Sequence, residues 1–289
     1  MDNDKNNHYN LKMREFDEKL LGILKTETNR EYLLRTDAGE RKNYIEDSRQ
    51  WSDSRFLSDI LKKDVTVSRR PRYVESPPNI VNIVEMYYVV CGSAVLMINN
   101  EDISLSAGDI FLKNQYTSCG IRRLGEDDIV IAVLLKPHFL ENACVCMTEK
   151  TALSEFMVDT LRSEVSWNKY LHFSGIDDVA VQNLIETIVY VAFPHLDDEN
   201  IATGSETDNA VTEHLMLSLL SCLSGTMNTL AADSPISYDE IVRQTVTDYI
   251  ESDYQSVSLA ELARSLNQSE SALSRQIKSL FGMGYKELL

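Results

Sequence analysis

The sequence predicts an α+β protein in which a β-rich segment lies between helical segments and a helical domain follows at the C-terminal end. Three observations predict this class. Short β-type runs separated by turn signals recur over residues 65–135, and helical periodicity dominates residues 177–230. Two short amphipathic helices joined by a polar turn are predicted within residues 257–289. The 289 residues are enough for two domains, each with its own core.

The composition excludes several classes of protein. Hydrophobic residues make up 43% and charged residues 25% of the chain, as in soluble globular proteins. No run of about 18 apolar residues occurs, so no membrane span is expected, and the polar, mixed-charge beginning argues against a secretory signal. The cysteine spacing indicates no disulfide framework, and Cys144 and Cys146 are predicted to be buried thiols. We therefore expect a cytoplasmic protein.

The net charge of −17 argues against nucleic acid as the main partner. Residues 234–289 carry five basic and eight acidic side chains, so even the predicted helical domain is slightly acidic. Neutralisation of phosphates supplies most of the sequence-independent affinity of a protein for DNA. We therefore expect this chain to bind DNA weakly, if DNA is its partner.

Residues 1–64 are predicted to be a helical extension without assigned chemistry. The first seven residues are polar, and we expect them to be disordered. A helix is predicted over residues 11–25 from the spacing of Leu20, Leu21 and Leu24, whereas residues 26–63 are charged and are expected to be irregular. A short helix is compatible with residues 54–62.

A β-rich segment follows over residues 65–140. Turn signals at Asn99-Asn100 and at residues 107–109 separate short apolar runs, and such spacing is typical of a small barrel or jelly roll. The predicted strands are 67–75, 83–90, 94–98, 103–105, 110–112 and 129–135.

Helices dominate residues 141–233. They are predicted over residues 154–163, 177–193 and 209–230, with one strand over 169–173. The apolar stripe of the last helix can pack inward on the barrel or against a second copy of the chain, and because Met216, Leu217 and Leu220 widen its apolar face, we expect the helix to do both. The members of the stripe are Val211, Leu215, Leu219, Leu223, Met227 and Leu230.

The C-terminal segment begins with a helix over residues 236–253 and continues with a helix-turn-helix pattern. The break at Asn267-Gln268, the N-cap residue Ser269 and the stop at Gly282 delimit the second of its two helices. The predicted buried residues are Leu259, Leu262, Ala263 and Leu266 on the first helix and Ala272, Leu273, Ile277, Leu280 and Phe281 on the second.

Two parts of the chain resemble AraC-type transcription regulators. The segments LAELA, S-x-x-x-L-S-R-x-x-K and FGMGY-x-E-L, which begin at Leu259, Ser269 and Phe281, resemble the first helix-turn-helix unit of that family. The run E-x-x-Y-V-x-x-G from Glu85 to Gly92, with the following Ile-Asn and Gly-Asp pairs, resembles the cupin sensor domain of the same family.

The resemblance implies four parts: a helical extension, a cupin-like sensor barrel, a helical dimerisation segment and the first helix-turn-helix unit. Their predicted bounds are 1–64, 65–140, 141–233 and 234–289. Members of the family carry a second unit after a long helix, and residues 285–289 resemble the start of that helix. We interpret the chain as stopping before the second unit, rather than as a natural variant with one unit.

The resemblance to cupins also bears on metal binding. If Glu85 matches the metal-binding glutamate of cupin enzymes, their histidine pair would fall on Asn79 and Val81 and their third histidine near Cys119. None of the five histidines occurs there, so we expect no metal, no cofactor and no enzyme activity. The candidate lining of a pocket for a small organic ligand is then Asn79, Glu85, Tyr87 and Cys119. Alternatively, the same four side chains fill the core.

The second helix of such a unit enters the major groove of DNA. The base-contact candidates that the resemblance implies are Ser271, Ser274 and Arg275, and the phosphate-contact candidates are Lys278 and Ser269. Alternatively, Arg275 pairs with Glu270 or Glu261 on a solvated surface.

Together these expectations describe a homodimeric transcription regulator that binds DNA and responds to a small-molecule effector. One alternative is a regulator controlled by a protein partner, in which the barrel is filled. The other is a metal-dependent cupin enzyme, which would contain iron, manganese or zinc.

Overall fold

The computed structural model of the protein describes residues 16–50, 61, 63–98, 101–147, 151–161, 170–176, 178–192, 206–225, 246–247, 250, 258–265 and 270–288. Within these residues the chain forms ten helices and nine strands. The mixed helix and sheet content that the sequence predicts is therefore confirmed.

The strands form two antiparallel sheets, which together we call the two-sheet unit. The order of the five-stranded sheet is β1 (Val65–Arg69), β8 (Ile129–Leu135), β3 (Val84–Cys91), β6 (Ile110–Lys113) and β9 (Tyr170–Phe173). The order of the four-stranded sheet is β2 (Ser76–Asn79), β7 (Cys119–Ile121), β4 (Ser93–Ile98) and β5 (Glu101–Ser106). All neighbouring strands pair antiparallel.

Alternate residues of β3 contribute to two different apolar cores. Met86 and Tyr88 belong to a core shared with helices, whereas Tyr87 and Val89 belong to a core between the two sheets. This alternation follows from the two-residue period of a strand. Because both faces of β3 and β8 are covered, nearly every residue of both strands is buried, and β8 is a continuous apolar run, whereas β3 includes one charged residue, Glu85.

The predicted strand over residues 67–75 is wrong. The chain leaves the first sheet after Arg69 and enters the second sheet at β2, which contains Pro77 and Pro78. Proline is tolerated there because β2 is an edge strand, where an amide donor can be missing. Strand β7 was not predicted, whereas the prediction of 129–135 agrees with β8. Ile98 pairs with Glu101, as a two-residue hairpin requires, but the predicted turn at Asn99-Asn100 lies outside the described residues.

Within the described residues, five helices contribute to the core on the outer face of the five-stranded sheet: α1 (Glu18–Lys25), α4 (Phe139–Cys146), α5 (Ala152–Leu161), α6 (Val179–Ala192) and α7 (Glu206–Gly225). Helix α7 packs inward and buries Leu219 and Leu223 of the predicted stripe together with Met216 and Leu220. Val211, at the start of the stripe, remains exposed. Met227 and Leu230 lie outside the described residues.

Three helices precede the first strand in the part of the chain that the structure describes: α1 (Glu18–Lys25), α2 (Asn29–Thr36) and α3 (Ala38–Gln50). The expectation that residues 26–63 are irregular is therefore wrong for α2 and α3. A capping box starts α2, since Thr28 and Glu31 each accept a backbone hydrogen bond from the other residue at 3.2 Å. The expected disorder of residues 1–7 and most of the expected helix over 54–62 lie outside the described residues.

A buried cluster of charges attaches α2 to the end of β1. The carboxylate of Glu31 accepts hydrogen bonds at 2.8 Å from both Arg69 and Arg72. Burial alone would raise the pKa of Glu31, but the hydrogen bonds and charges of Arg72 and Arg69 lower it. Glu31 is therefore ionised at neutral pH and holds α2 against the two-sheet unit.

The C-terminal described residues form α8 (Leu259–Ser265), α9 (Glu270–Phe281) and the short α10 (Tyr285–Leu288). Gly282 follows α9 with a φ of +74°, a left-handed conformation that suits glycine at a helix end, as its position in the sequence predicts. The buried residues common to the three helices and the preceding segment are Val246, Leu262, Ala263, Leu273, Ile277 and Tyr285. Apart from residues 246–247 and 250, the predicted helix over 236–253 lies outside the described residues.

Candidate functional site

A buried ion pair lies between the two sheets. Glu85 of β3 and Lys113 of β6 are directly opposite each other in the strand register. Lys113 Nζ lies 2.8 Å from Glu85 Oε2, and the two side chains are 0% and 8% exposed. Directly opposite residues of antiparallel strands project to the same face, so strand geometry itself brings these charges together.

The groups around this ion pair have shifted pKa values. Burial alone would raise the pKa of Glu85, but the positive charges of Lys113 and Arg70 and a hydrogen bond with Tyr87 lower it. Burial raises the pKa of Tyr87 well above its ordinary value, and the Glu85 carboxylate raises it further. Burial also raises the pKa of Cys119 to about 12, so this side chain is a neutral thiol at physiological pH.

Arg70 is a member of this cluster that the sequence analysis missed. Its guanidinium carbon lies 5.8 Å from the centroid of the Tyr87 ring, a cation–π arrangement. Its Nε is buried and has no hydrogen-bond partner in the described part of the chain. The available signal was strand alternation, because Arg69 faces α2 and the next residue must project to the other side of the sheet.

The structure brings three of the four candidate ligand residues together and places the fourth at the edge. Glu85, Tyr87 and Cys119 interact with one another between the sheets. Asn79 pairs with Cys119 in the register of β2 and β7, and its side-chain amide donates a hydrogen bond at 3.0 Å to the Ser48 carbonyl oxygen of α3. The hydrogen bond of Asn79 therefore joins α3 to β2.

Four of the five candidate DNA-contact residues, Ser271, Ser274, Arg275 and Lys278, belong to α9. Arg275 and Lys278 are exposed and are one helical turn apart, and Ser274 is half-buried. Leu273 and Ile277, four residues apart, form the buried face of the helix. The side chain of Ser271 and the whole of Ser269 lie outside what the structure describes. Glu261 and Glu270 are also exposed on this helix pair, so its exposed charges are of both signs.

Contacts connect the buried ion pair to the helical core. Lys113 Nζ donates to the Thr117 carbonyl oxygen at 3.3 Å. Asn114 Oδ1 accepts hydrogen bonds from Thr117 Oγ1 at 2.7 Å and from the Tyr116 amide at 3.2 Å. The side chains of Tyr116 and of Ile80, which precedes β3, pack against the core of α8 and α9. The loop after β6 therefore contacts both the ion pair and the helix pair.

Among the described residues, no three His, Cys, Asp or Glu side chains converge where a metal ion could bind. In the same part of the chain, no helix combines the length and the apolar character that crossing a bilayer requires.

Comparisons with known proteins give structural likeness only. No protein-family model and no curated protein matches this chain. Among solved structures, an apo variant of ToxT from Vibrio cholerae aligns over 78% of this chain and 77% of its own, with 12% identity and a TM-score of 0.42. ToxT bound to an unsaturated fatty acid aligns over 78% and 75%, with 14% identity and a TM-score of 0.40. The AraC-like transcriptional activator CuxR aligns over 74% and 70%, with 9% identity and a TM-score of 0.35. A likeness at these TM-scores carries no argument about function or ligand.

Proposed function

We propose that the chain is a sequence-specific, DNA-binding transcription regulator of the AraC type. In this proposal α8 and α9 form a helix-turn-helix unit, and the two-sheet unit is a cupin-like sensor of a small molecule. The observation that carries the proposal is the pairing of α8 with α9. Both helices bury one face on a shared core, while Arg275 and Lys278 extend from α9 into solvent. A helix that packs one face on a core and exposes cations on the other face is suited to bind in the major groove of DNA.

The acidic composition sets the expected strength of binding. The surface of α8 and α9 exposes Glu261 and Glu270 as well as Arg275 and Lys278, and the whole chain has a net charge of −17. Sequence-independent attraction to DNA is therefore weak, and base contacts carry a large share of the affinity. We therefore expect weak specific binding with a shallow salt dependence, because few phosphates are neutralised.

The contacts of the loop after β6 support a ligand response. A ligand that disturbs the Glu85–Lys113 pair also disturbs Thr117, and through the same loop the packing of Tyr116 on the helix pair. Such a ligand would shift the population between docked and released arrangements of α8 and α9.

Homodimerisation is part of the proposal. Tyr190 of α6 and Val211 of α7 are large apolar side chains that stay exposed on the helices that cover the sheet. A second copy that packs on this face would bring two helix-turn-helix units to two half-sites.

A regulator controlled by a protein partner is the second candidate. It is favoured by the dense filling between the sheets, where the side chains of Phe111, Leu96, Leu105, Val130 and Ala132 are almost completely buried. In this case the two-sheet unit would be an interaction platform without a small-molecule ligand.

Fluorescence anisotropy on DNA from upstream of the protein's own gene tests the proposal, at two salt concentrations and against scrambled DNA. Arg275→Ala should weaken specific binding by about 5- to 150-fold if it contacts a guanine, which corresponds to about 1–3 kcal/mol. Lys278→Ala should weaken binding to both DNAs alike and reduce the salt dependence by about one counterion. The matched control is Lys286→Ala, because Lys286 is exposed on α10.

The absence of specific binding at low salt, with candidate effectors present, would reject the regulator function for both candidates. If Arg275→Ala and Lys286→Ala weakened specific DNA binding equally, α9 would not be the helix that contacts the bases.

A further inference from the structure

We propose that the two-sheet unit binds an organic carboxylate through the guanidinium group of Arg70. This inference uses the same sensor site as the proposed function and names the chemistry of its ligand. Arg70 directly follows β1, and its backbone amide is held by a hydrogen bond of 2.9 Å to the Val130 carbonyl oxygen. The neighbouring Arg69 extends toward α2 and Glu31. Strand alternation therefore directs Arg70 to the opposite side, over the Tyr87 ring.

The hydrogen-bonding capacity of Arg70 is incompletely used. Its Nε is buried without a hydrogen-bond partner, and the residue as a whole is half-buried. Among the described residues, its guanidinium makes no ion pair and no hydrogen bond. A guanidinium group offers five N–H donors in a planar fork and stays protonated in proteins, so it retains both charge and donors for another group.

Glu85, the carboxylate of this cluster, binds side chains other than Arg70. Glu85 is close enough to be influenced by the charge of Arg70, but its oxygens bind Lys113 and Tyr87. The charged groups of this cluster are therefore two cations, Arg70 and Lys113, and one anion, Glu85. Among the described residues, one positive charge of this cluster therefore has no paired carboxylate, in a place that is partly shielded from water.

The single excess positive charge favours a ligand group with one negative charge. A carboxylate carries one negative charge and matches the guanidinium fork with two parallel hydrogen bonds. A phosphate monoester carries close to two negative charges at neutral pH and would leave a negative charge uncompensated beside Glu85. The apolar side chains and the Tyr87 ring around the site favour an organic group attached to the carboxylate.

Isothermal titration calorimetry and thermal unfolding of the whole chain, without DNA, test the inference. The probes are sodium benzoate and sodium hexanoate, the uncharged benzamide and hexanamide, and phenyl phosphate. We expect both carboxylates to bind and to raise the melting temperature, and the amides to have no effect. Arg70→Gln should weaken carboxylate binding at least tenfold, and Arg70→Lys should weaken it less, because the charge remains but the fork is lost. Arg123→Gln is the matched control, because Arg123 is exposed in a loop.

Three outcomes would overturn the inference: no carboxylate binding, equal binding to wild type and Arg70→Gln, or tighter binding of phenyl phosphate than of benzoate. If Arg70→Gln does not fold, two other results test the inference: the effect of Arg70→Lys on carboxylate binding, and the difference between carboxylate and amide binding to the wild-type chain. Carboxylate binding without specific DNA binding would reject the regulator function alone. Specific DNA binding without carboxylate binding would reject this inference alone.

Discussion

Glu85 and Lys113 form a buried ion pair between strands β3 and β6, in which Lys113 Nζ lies 2.8 Å from Glu85 Oε2. Each partner also makes a second contact. Lys113 donates a hydrogen bond to the Thr117 carbonyl oxygen in the loop that contacts the helix pair, and Glu85 forms a hydrogen bond with Tyr87. Removal of one partner of a buried pair leaves the other charge uncompensated, whereas removal of both partners costs much less.

The first prediction concerns this pair. Lys113→Met should lower the free energy of unfolding by about 3–5 kcal/mol, and the double variant Glu85→Gln/Lys113→Met should recover part of that loss. Urea unfolding at pH 7 of the wild type, both single variants and the double variant measures the coupling. Additive losses would show that the two side chains do not stabilise each other.

A second prediction concerns the carboxylate that attaches α2. Glu31→Gln should lower the free energy of unfolding at pH 7 by about 3–5 kcal/mol, because Arg69 and Arg72 lose their shared partner. The pKa of Glu31 is lowered in the folded protein, so its contribution is complete above its ordinary pKa of 4.5 and is lost as the pH falls below that value.

Unfolding midpoints between pH 7 and pH 3 should therefore fall less steeply in Glu31→Gln than in the wild type. Glu27→Gln is the control, because Glu27 also pairs with an arginine, Arg35, but at the surface. If Glu31→Gln were as stable as Glu27→Gln, the claim that Glu31 stabilises the fold through Arg69 and Arg72 would be wrong.

The third prediction concerns thiol reactivity. Cys119 is buried and its pKa is raised to about 12, so little thiolate is present at pH 8. Alkylation of Cys119 by iodoacetamide should require unfolding, and its rate should rise with urea in step with global unfolding. Cys91 and Cys222, which are half-buried, should be alkylated faster in the native protein. Peptide mass spectrometry distinguishes the three sites, and early modification of Cys119 would refute the burial argument.

The fourth prediction concerns the contact between the two-sheet unit and the helix pair. Tyr116→Ala removes half-buried apolar area from the core of α8 and α9. A loss of about 1 kcal/mol would speed hydrogen exchange in residues 270–281 about fivefold. Tyr190→Ala is the control, since Tyr190 is 60% exposed on α6. Unchanged exchange in Tyr116→Ala would show that this contact does not restrain the helix pair.

Local signals in the sequence predicted local structure well. The spacing of Leu262, Leu273 and Ile277 identified the buried faces of α8 and α9, and Gly282 identified the end of α9. The capping box of Thr28 and Glu31 was an equally local signal, and it was overlooked because α2 and α3 contain few apolar residues.

The polar cluster between the sheets was harder to predict, because it depends on pairing between distant strands. Nothing near Lys113 in the sequence indicates that β6 pairs with β3 in a register that places it opposite Glu85. Arg70 was missed for a related reason, since its importance follows from the group that Arg69 binds, nearly 40 residues earlier in the chain. Tertiary register, rather than composition, creates this candidate site.

The attachment of α2 also has a practical consequence for recombinant work on isolated fragments. A fragment designed to start at residue 65 would retain Arg69 and Arg72 but lack Glu31, which hydrogen-bonds to both. The two arginines would then lack the carboxylate that pairs with them. We therefore expect such a fragment to be poorly soluble and to bind polyanions non-specifically. A fragment that begins before Asp17, the residue that caps α1, avoids this artefact.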